Sequence, residues 1–220
     1  MTVLVEAAVE SVDAALAAVE GGAHRIELCT DLAHGGTTPD VEFLRACRAQ
    51  LSIPVFVLIR PRAGDFVYTD AEHATTLEQI RQAKDAGAHG IVTGALTASG
   101  EISRAQTAAL IAAARPLPVT FHRAFDLCDD LSAALESLIL MGVERVLTSG
   151  GAPTAPEGAG RIDRLLVQAS GRIEILAGGG IDERNVAALV RESGVREVHF
   201  SVKDAAKVRK IMQALRRLPQ

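Results

Sequence analysis

A short β-branched run followed by an Ala- and Leu-rich stretch recurs along these 220 residues, and this rhythm constrains the fold more than any single motif. Strands are expected at Val3–Ala7, Arg25–Leu28, Val55–Ile59, Gly90–Thr93, Val119–His122, Arg145–Thr148, Arg172–Ala177 and Glu197–Phe200. Amphipathic helices are expected at Val12–Val19, Val41–Leu51, Ala71–Ala86, Arg104–Ala114, Leu131–Met141, Ile162–Ala169, Val186–Glu192 and Asp204–Leu218. Strict alternation implies a parallel sheet, because each helix must return the chain to the same sheet end. Eight rounds predict closure into a single (β/α)8 TIM barrel over residues 1–220.

A weak internal repeat supports closure. A helix ends in Gly and runs straight into a strand at Gly22-Ala23-His24, Gly87-Ala88-His89, Gly142-Val143-Glu144 and Gly194-Val195-Arg196, before strands two, four, six and eight. Each Gly suits the left-handed position that ends a helix. Pairwise repetition is expected of a barrel assembled from quarters. Hydrophobic residues are 48% and aromatics 3%, with no Trp. The core is therefore built from Ala, Val, Leu and Ile, which suit layered barrel packing.

Net charge is −4, without the basic stripe of a nucleic-acid binder. No apolar run approaches the roughly 18 residues of a membrane span, and Met1–Ala8 lacks the features of a signal peptide. Three cysteines, Cys29, Cys47 and Cys128, are too few and of the wrong parity for a disulfide framework. These observations predict a cytoplasmic protein with no nucleic-acid or membrane partner. A homodimer through the outer helices is compatible with the pattern.

Barrel enzymes work at the C-terminal strand ends, and here those ends are polar. Glu6 lies on strand one, and Glu27 and then Cys29 on strand two. Arg60, Arg62 and Asp65 follow strand three, and Thr93 ends strand four. His122, Arg123 and Asp126 follow strand five, and Thr148 and Ser149 end strand six. Gly178, Gly179 and Gly180 end strand seven, and His199 and Ser201 lie on strand eight. Side-chain alternation predicts that the pairs Glu27/Cys29, Thr120/His122 and His199/Ser201 face the barrel axis. Glu6, Glu27, Arg60 and His122 could form a buried structural ion network. Burying several charges for stability alone is energetically unfavourable, so a ring of them also points to chemistry.

In the catalytic reading, Arg60 and Arg62 make forked contacts to an oxyanion. His122 acts as acid or base, with Glu6 and Glu27 as further proton carriers if burial raises their pKa. Gly178–Gly180 and Ser201 hold a phosphate or carboxylate, because barrel phosphate sites form after strands seven and eight. The lysines Lys84, Lys203, Lys207 and Lys210 avoid the strand ends within the barrel, which argues against Schiff-base chemistry. No organic cofactor is evident. Cys29 and Cys128 fall on the site face, where thiolates would select Cu(I); the alternative is that both are small buried hydrophobes. Strands two and five are not neighbours, so loops must reach across for one ion to touch both. Cys47 falls within a helix and reads as packing.

Several of these segments resemble the CutC family of copper homeostasis proteins. The matching runs include Arg25-Ile26-Glu27-Leu28-Cys29, Gly35-Gly36-Thr37-Thr38-Pro39, Ile59 through Tyr68, Thr120 through Asp126, Arg145 through Gly151, Ala177 through Ile181, and Glu197 through Ser201. The resemblance covers nearly the whole chain. Ala63 stands where the family usually has Gly, and Thr37 where it usually has Leu. The resemblance implies a cytoplasmic barrel with a role in copper handling, and Cu(I) coordination by cysteines at the Cys29 and Cys128 positions. The charged ring argues instead for an isomerase or lyase acting on a small phosphorylated or carboxylated metabolite, with an indirect copper role. Both readings lead forward; a scaffold for a protein partner has no sequence feature behind it.

Overall fold

A computed structural model describes residues 3–218. Eight parallel strands close in sequence order, β1 to β8, with β1 pairing β8. They are β1 Leu4–Val9, β2 Arg25–Leu28, β3 Val55–Leu58, β4 Gly90–Thr93, β5 Val119–Phe121, β6 Arg145–Thr148, β7 Glu174–Gly178 and β8 Glu197–Ser201. The helices between and after them are α1 Val12–Gly21, α2 Val41–Gln50, α3 Asp70–Asp85, α4 Arg104–Ala114, α5 Leu131–Leu140, α6 Ala159–Ala169, α7 Val186–Ser193 and α8 Ala205–Arg216. The expected elements are all present, with no end shifted by more than three residues. Residues 1, 2, 219 and 220 lie outside the described residues, so Met1 and the tail after Leu218 are not placed.

The helix starts follow local chemistry. Ser11, Asp40, Asp130 and Asp204 accept backbone N–H groups at the starts of α1, α2, α5 and α8. Thr69 and Glu72 form a reciprocal capping box on α3, each satisfying a donor that the first turn leaves free. The four repeat glycines take positive φ, from 68° at Gly194 to 99° at Gly22. The residue two places on has a second task in three of the repeats. His24 Nδ1 accepts from Val5 N–H at 3.0 Å, His89 Nδ1 from Val55 N–H at 2.9 Å, and Glu144 Oε2 from Val119 N–H at 2.8 Å. The lead-ins to β2, β4 and β6 thus cap β1, β3 and β5, binding these strands in pairs.

Two apolar cores lie on opposite sides of the strand wall. Outward-facing Val5, Ala7, Ile26, Leu28, Val57 and Ile91 pack against the helices in the larger one. The smaller lies inside the barrel and comprises Ala8, Cys29, Phe56, Leu58 and Val92. The rest of the interior is largely charged. Glu6, Arg25, Glu27, Arg60, His122 and Glu197 are all at most 8% exposed. No described helix is long and apolar enough to cross a membrane.

Candidate active site

Alternation along β1, β2, β6 and β8 turns Glu6, Arg25, Glu27, Arg145, Glu197 and His199 to the axis, where they join into one chain of contacts. Arg25 Nε donates to Glu6, and Arg25 Nη2 donates to Glu197 at 2.7 Å. Arg145 Nε donates to the same carboxylate at 2.6 Å. His199 Nδ1 lies 2.7 Å from Glu6 Oε1, and its Nε2 lies 3.5 Å from Glu27 Oε2. Both guanidinium groups sit over the Phe56 ring, at 4.9 and 5.7 Å. With His199 protonated, three carboxylates face three cations, so the low-dielectric interior carries no net charge from this set. Gly90 makes the arrangement possible: a Cβ there would lie 2.4 Å from Phe56 Cζ.

The contacts set unequal proton affinities. Burial alone would raise Glu6, but the His199 hydrogen bond and the Arg25 and His199 charges outweigh it and hold Glu6 down at about 2. Burial dominates at Glu27, and the Glu6 charge adds to it against the attraction of His199 and Arg25; Glu27 is pushed up to about 7. Burial lowers His199, yet Glu27 and Glu6 together raise it above the usual imidazole value. Glu27 is level with Ala8 and Glu6 with Arg25 and His199, so Glu27 stands one layer nearer the mouth.

The β3–α3 loop separates two arginines expected to act together. Arg60 points inward and donates to the carbonyls of Gly36 at 2.9 Å and Gly64 at 2.7 Å, and to His34 at 3.3 Å. Arg62 is not placed to bind an oxyanion. It is held by Glu72 at 2.5 Å, by Asp65 at 2.8 Å and by the carbonyls of Ala63, Asp65 and Val67. Asp65 is exposed and closes the same loop clamp. The pair shapes the loop.

The segment after β5 divides likewise. His122 is 5% exposed. Burial, then the Arg60 charge, holds it down at about 3. It is therefore neutral near pH 7 and unsuited to the proton-carrying role expected of it. Asp126 is saturated by Ser149 N–H, Gly151 N–H, Thr148 Oγ1, Ser149 Oγ and Arg123 Nε. It ties the β5 loop to the β6 loop rather than moving protons. Arg123 donates to Asp126 and Ser149 and is 40% exposed in its side chain.

Of the three glycines, Gly178 serves packing: a Cβ there would stand 2.6 Å from Leu147 Cδ1 and 3.3 Å from His199 Cβ. Gly179 and Gly180 take φ of 108° and 69°. Arg123 Nη1 would lie 2.8 Å from a Cβ at Gly179, so the guanidinium rests against that backbone. Ser201 is exposed at the end of β8, level with Ala8. Arg123 is thus grouped with the Gly179–Gly180 backbone after β7, and Ser201 ends the neighbouring β8.

The cysteines are not brought together. Cys29 is fully buried inside the barrel among Ala8, Phe56, Leu58 and Val92, with its thiol toward Val9 O at 3.5 Å. Cys128 lines a cleft of about 690 Å³ between α4 and α5, with Arg104, Ala133 and Ser137, on the helix side of the wall. Burial, then the Glu27 charge, pushes the Cys29 thiol far up. Burial, then Asp126 and Asp129, pushes Cys128 to about 11. Copper-binding cysteines act as thiolates, a form that burial disfavours at both positions, and the two thiols lie on opposite sides of the strand wall. No group of three or more His, Cys, Asp or Glu suited to a metal occurs among the described residues. The donor set does not fit a two-cysteine Cu(I) site.

Sequence reasoning missed Arg25, Arg145 and Glu197, because it searched only the C-terminal strand ends. The signal was present: Arg25 stands two residues before Glu27, and Glu197 two before His199, so each pair shares a face.

The CutC family pattern matches residues 3–204. A human protein named copper homeostasis protein cutC homolog is 50% identical over 200 residues, covering 91% of this chain and 73% of its own. A Bacteroides thetaiotaomicron CutC family protein is 45% identical over 203 residues, covering 92% and 82%. Among solved structures, a putative copper homeostasis protein CutC from Streptococcus agalactiae superposes with a TM-score of 0.86 at 33% identity, covering 90% of this chain and 98% of its own. A chain described as QR15, an aldolase, reaches 0.72 at 14% identity, covering 97% and 96%, and shares the fold alone. The chain therefore belongs to the CutC family.

Proposed function

We propose that this protein is an enzyme transferring a proton on a small phosphorylated or carboxylated metabolite, and that its family's link to copper homeostasis runs through that metabolite. The observation that carries this reading is the carboxylate–imidazole–carboxyl chain of Glu6, His199 and Glu27 on the barrel axis. Glu6 accepts from His199 Nδ1 and so directs Nε2 toward Glu27. A carboxyl pushed up to about 7 can both take and return a proton near neutrality. Arg123, the Gly179 and Gly180 amides and Ser201 hold the anionic group.

Metabolites that raise the melting temperature in a panel of phosphorylated and carboxylated compounds are incubated in D2O and followed by proton NMR. Wild type exchanges a carbon-bound hydrogen with solvent. Glu27→Gln loses this by about 10²- to 10⁴-fold, the usual contribution of a positioned acid–base group. Exchange undiminished in Glu27→Gln, or no stabilising compound in the panel, refutes the reading. Anaerobic Cu(I) titration should give the same curve for wild type and for Cys29→Ser/Cys128→Ser. A stoichiometric site lost only in the double variant would restore direct copper binding.

A further inference from the structure

The β3 and β5 side of the mouth holds donors that proton transfer at Glu27 does not use. Arg60 is 4% exposed, and its guanidinium donates to carbonyls alone among the described residues. Its Nε–H is buried without a partner. His122 Nδ1 accepts from Ala124 N–H at 3.3 Å. In a neutral imidazole the ring proton then sits on Nε2, and Nε2 too is buried without a partner. Thr120, two residues earlier on the same inward face and 0% exposed, has an unpartnered hydroxyl.

Arg60 and His122 share one corner. Gly94 on the intervening chain lets the His122 ring lie back over β4; a Cβ there would stand 2.8 Å from its Cε1 and Nδ1. Phe66 covers both neighbours, with the Arg60 guanidinium carbon 4.6 Å and the His122 ring 4.8 Å from its centroid. A buried cation without a counter-charge and buried donors without acceptors are unfavourable unless a ligand completes them.

We infer that Arg60 and His122, with Thr120 on the same strand face as His122, form an oxyanion subsite that binds the carbonyl oxygen of the substrate, which makes the substrate a small phosphorylated α-hydroxy ketone or α-hydroxy aldehyde. The chemistry rests on the proton-transfer reading above. Glu27 as carboxylate removes a proton from the carbon beside the carbonyl. The C–H electron pair becomes the new C=C bond, and the carbonyl π pair moves onto oxygen as an enolate facing Arg60 Nε–H and His122 Nε2–H. Where that carbon carries a hydroxyl, the hydroxyl proton passes to the enolate oxygen, its O–H pair forms the new C=O, and the C=C pair takes the proton back from Glu27 at the former carbonyl carbon, which completes an isomerisation with no net oxidation. Neutral His122 is a positioned hydrogen-bond donor in this scheme.

The test compares calorimetric binding of 2-phosphoglycolate, whose carboxylate mimics the enolate, with that of inorganic phosphate. Wild type is expected to bind phosphoglycolate more tightly. His122→Phe, which keeps ring volume, and Thr120→Val should lose that advantage, by about 10- to 100-fold for His122→Phe, and leave phosphate affinity alone. His122→Gln should recover part of it by restoring a donor. Arg60→Met is read the same way where it folds; the other two variants suffice where it does not. Imidazole ¹⁵N spectra should show His122 as the Nε2–H tautomer at pH 7. An advantage that survives in His122→Phe and Thr120→Val overturns the subsite, even if Glu27→Gln abolishes exchange. An advantage lost in those variants with exchange undiminished in Glu27→Gln keeps the subsite and removes the proton-transfer reading. No binding of either probe to wild type, or an Nδ1–H tautomer, also overturns the subsite.

Discussion

Replacing Glu6 with Gln tests whether the interior charges act as one network. Glu6 is 1% exposed and is held at about 2 against an ordinary 4.5. That difference corresponds to about 3 kcal/mol of folding stability near neutrality. Removing one member of a buried ion pair independently costs about 3–5 kcal/mol, because Arg25 and His199 are left facing an uncharged amide. For a chain of this length, about 3 kcal/mol lowers the melting temperature by roughly 6–12 °C. The sign against pH follows from the lowered value. The carboxylate's contribution is fully present above 4.5 and is lost as pH falls toward 2. Urea unfolding of wild type and Glu6→Gln should therefore differ by about 3 kcal/mol at pH 7, with the gap closing progressively below pH 4.5. A gap under about 0.5 kcal/mol at pH 7, the size of an ordinary surface substitution, would refute the network, as would a gap independent of pH.

Glu27 has the opposite sign. Its folded value near 7 lies above the ordinary 4.5, so its favourable contribution is present below 4.5 and is lost as pH rises through 7. Glu27→Gln should thus gain stability relative to wild type between pH 5 and 8, read from urea midpoints. At Gly90, an added Cβ 2.4 Å from Phe56 Cζ forces the ring off its stack with Arg25 and Arg145. Gly90→Ala should lose about 1–3 kcal/mol, and Phe56→Leu in the same chain should restore part of it.

How much of the site could be read from the sequence depended on direction and on company. Glu27, Cys29, Thr120, His122 and His199 could be assigned to the axis, because alternation along a strand is a local property. What each would do there could not be read. Arg62 looked like a ligand for an oxyanion, but Glu72, ten residues beyond it, takes one guanidinium edge. Asp126 stood among the candidate catalytic residues, but two amides more than twenty residues away consume its oxygens. Cys29 and Cys128 looked like a pair because both follow strand ends. One proved to face the barrel interior and the other an outer cleft.

The sequence by itself determined the barrel. Hydrophobic period, capping residues and the glycine that ends each helix before an even-numbered strand act over a few residues, and their repetition leaves few ways to close the sheet. Tertiary structure decided the chemistry. Proton affinity depends on burial and on charges within a few ångströms, and those come from Glu6 and His199, 193 residues apart. Likewise His122, an ordinary imidazole in the sequence, loses its ordinary basicity only where the fold buries it beside Arg60, Phe66 and Gly94.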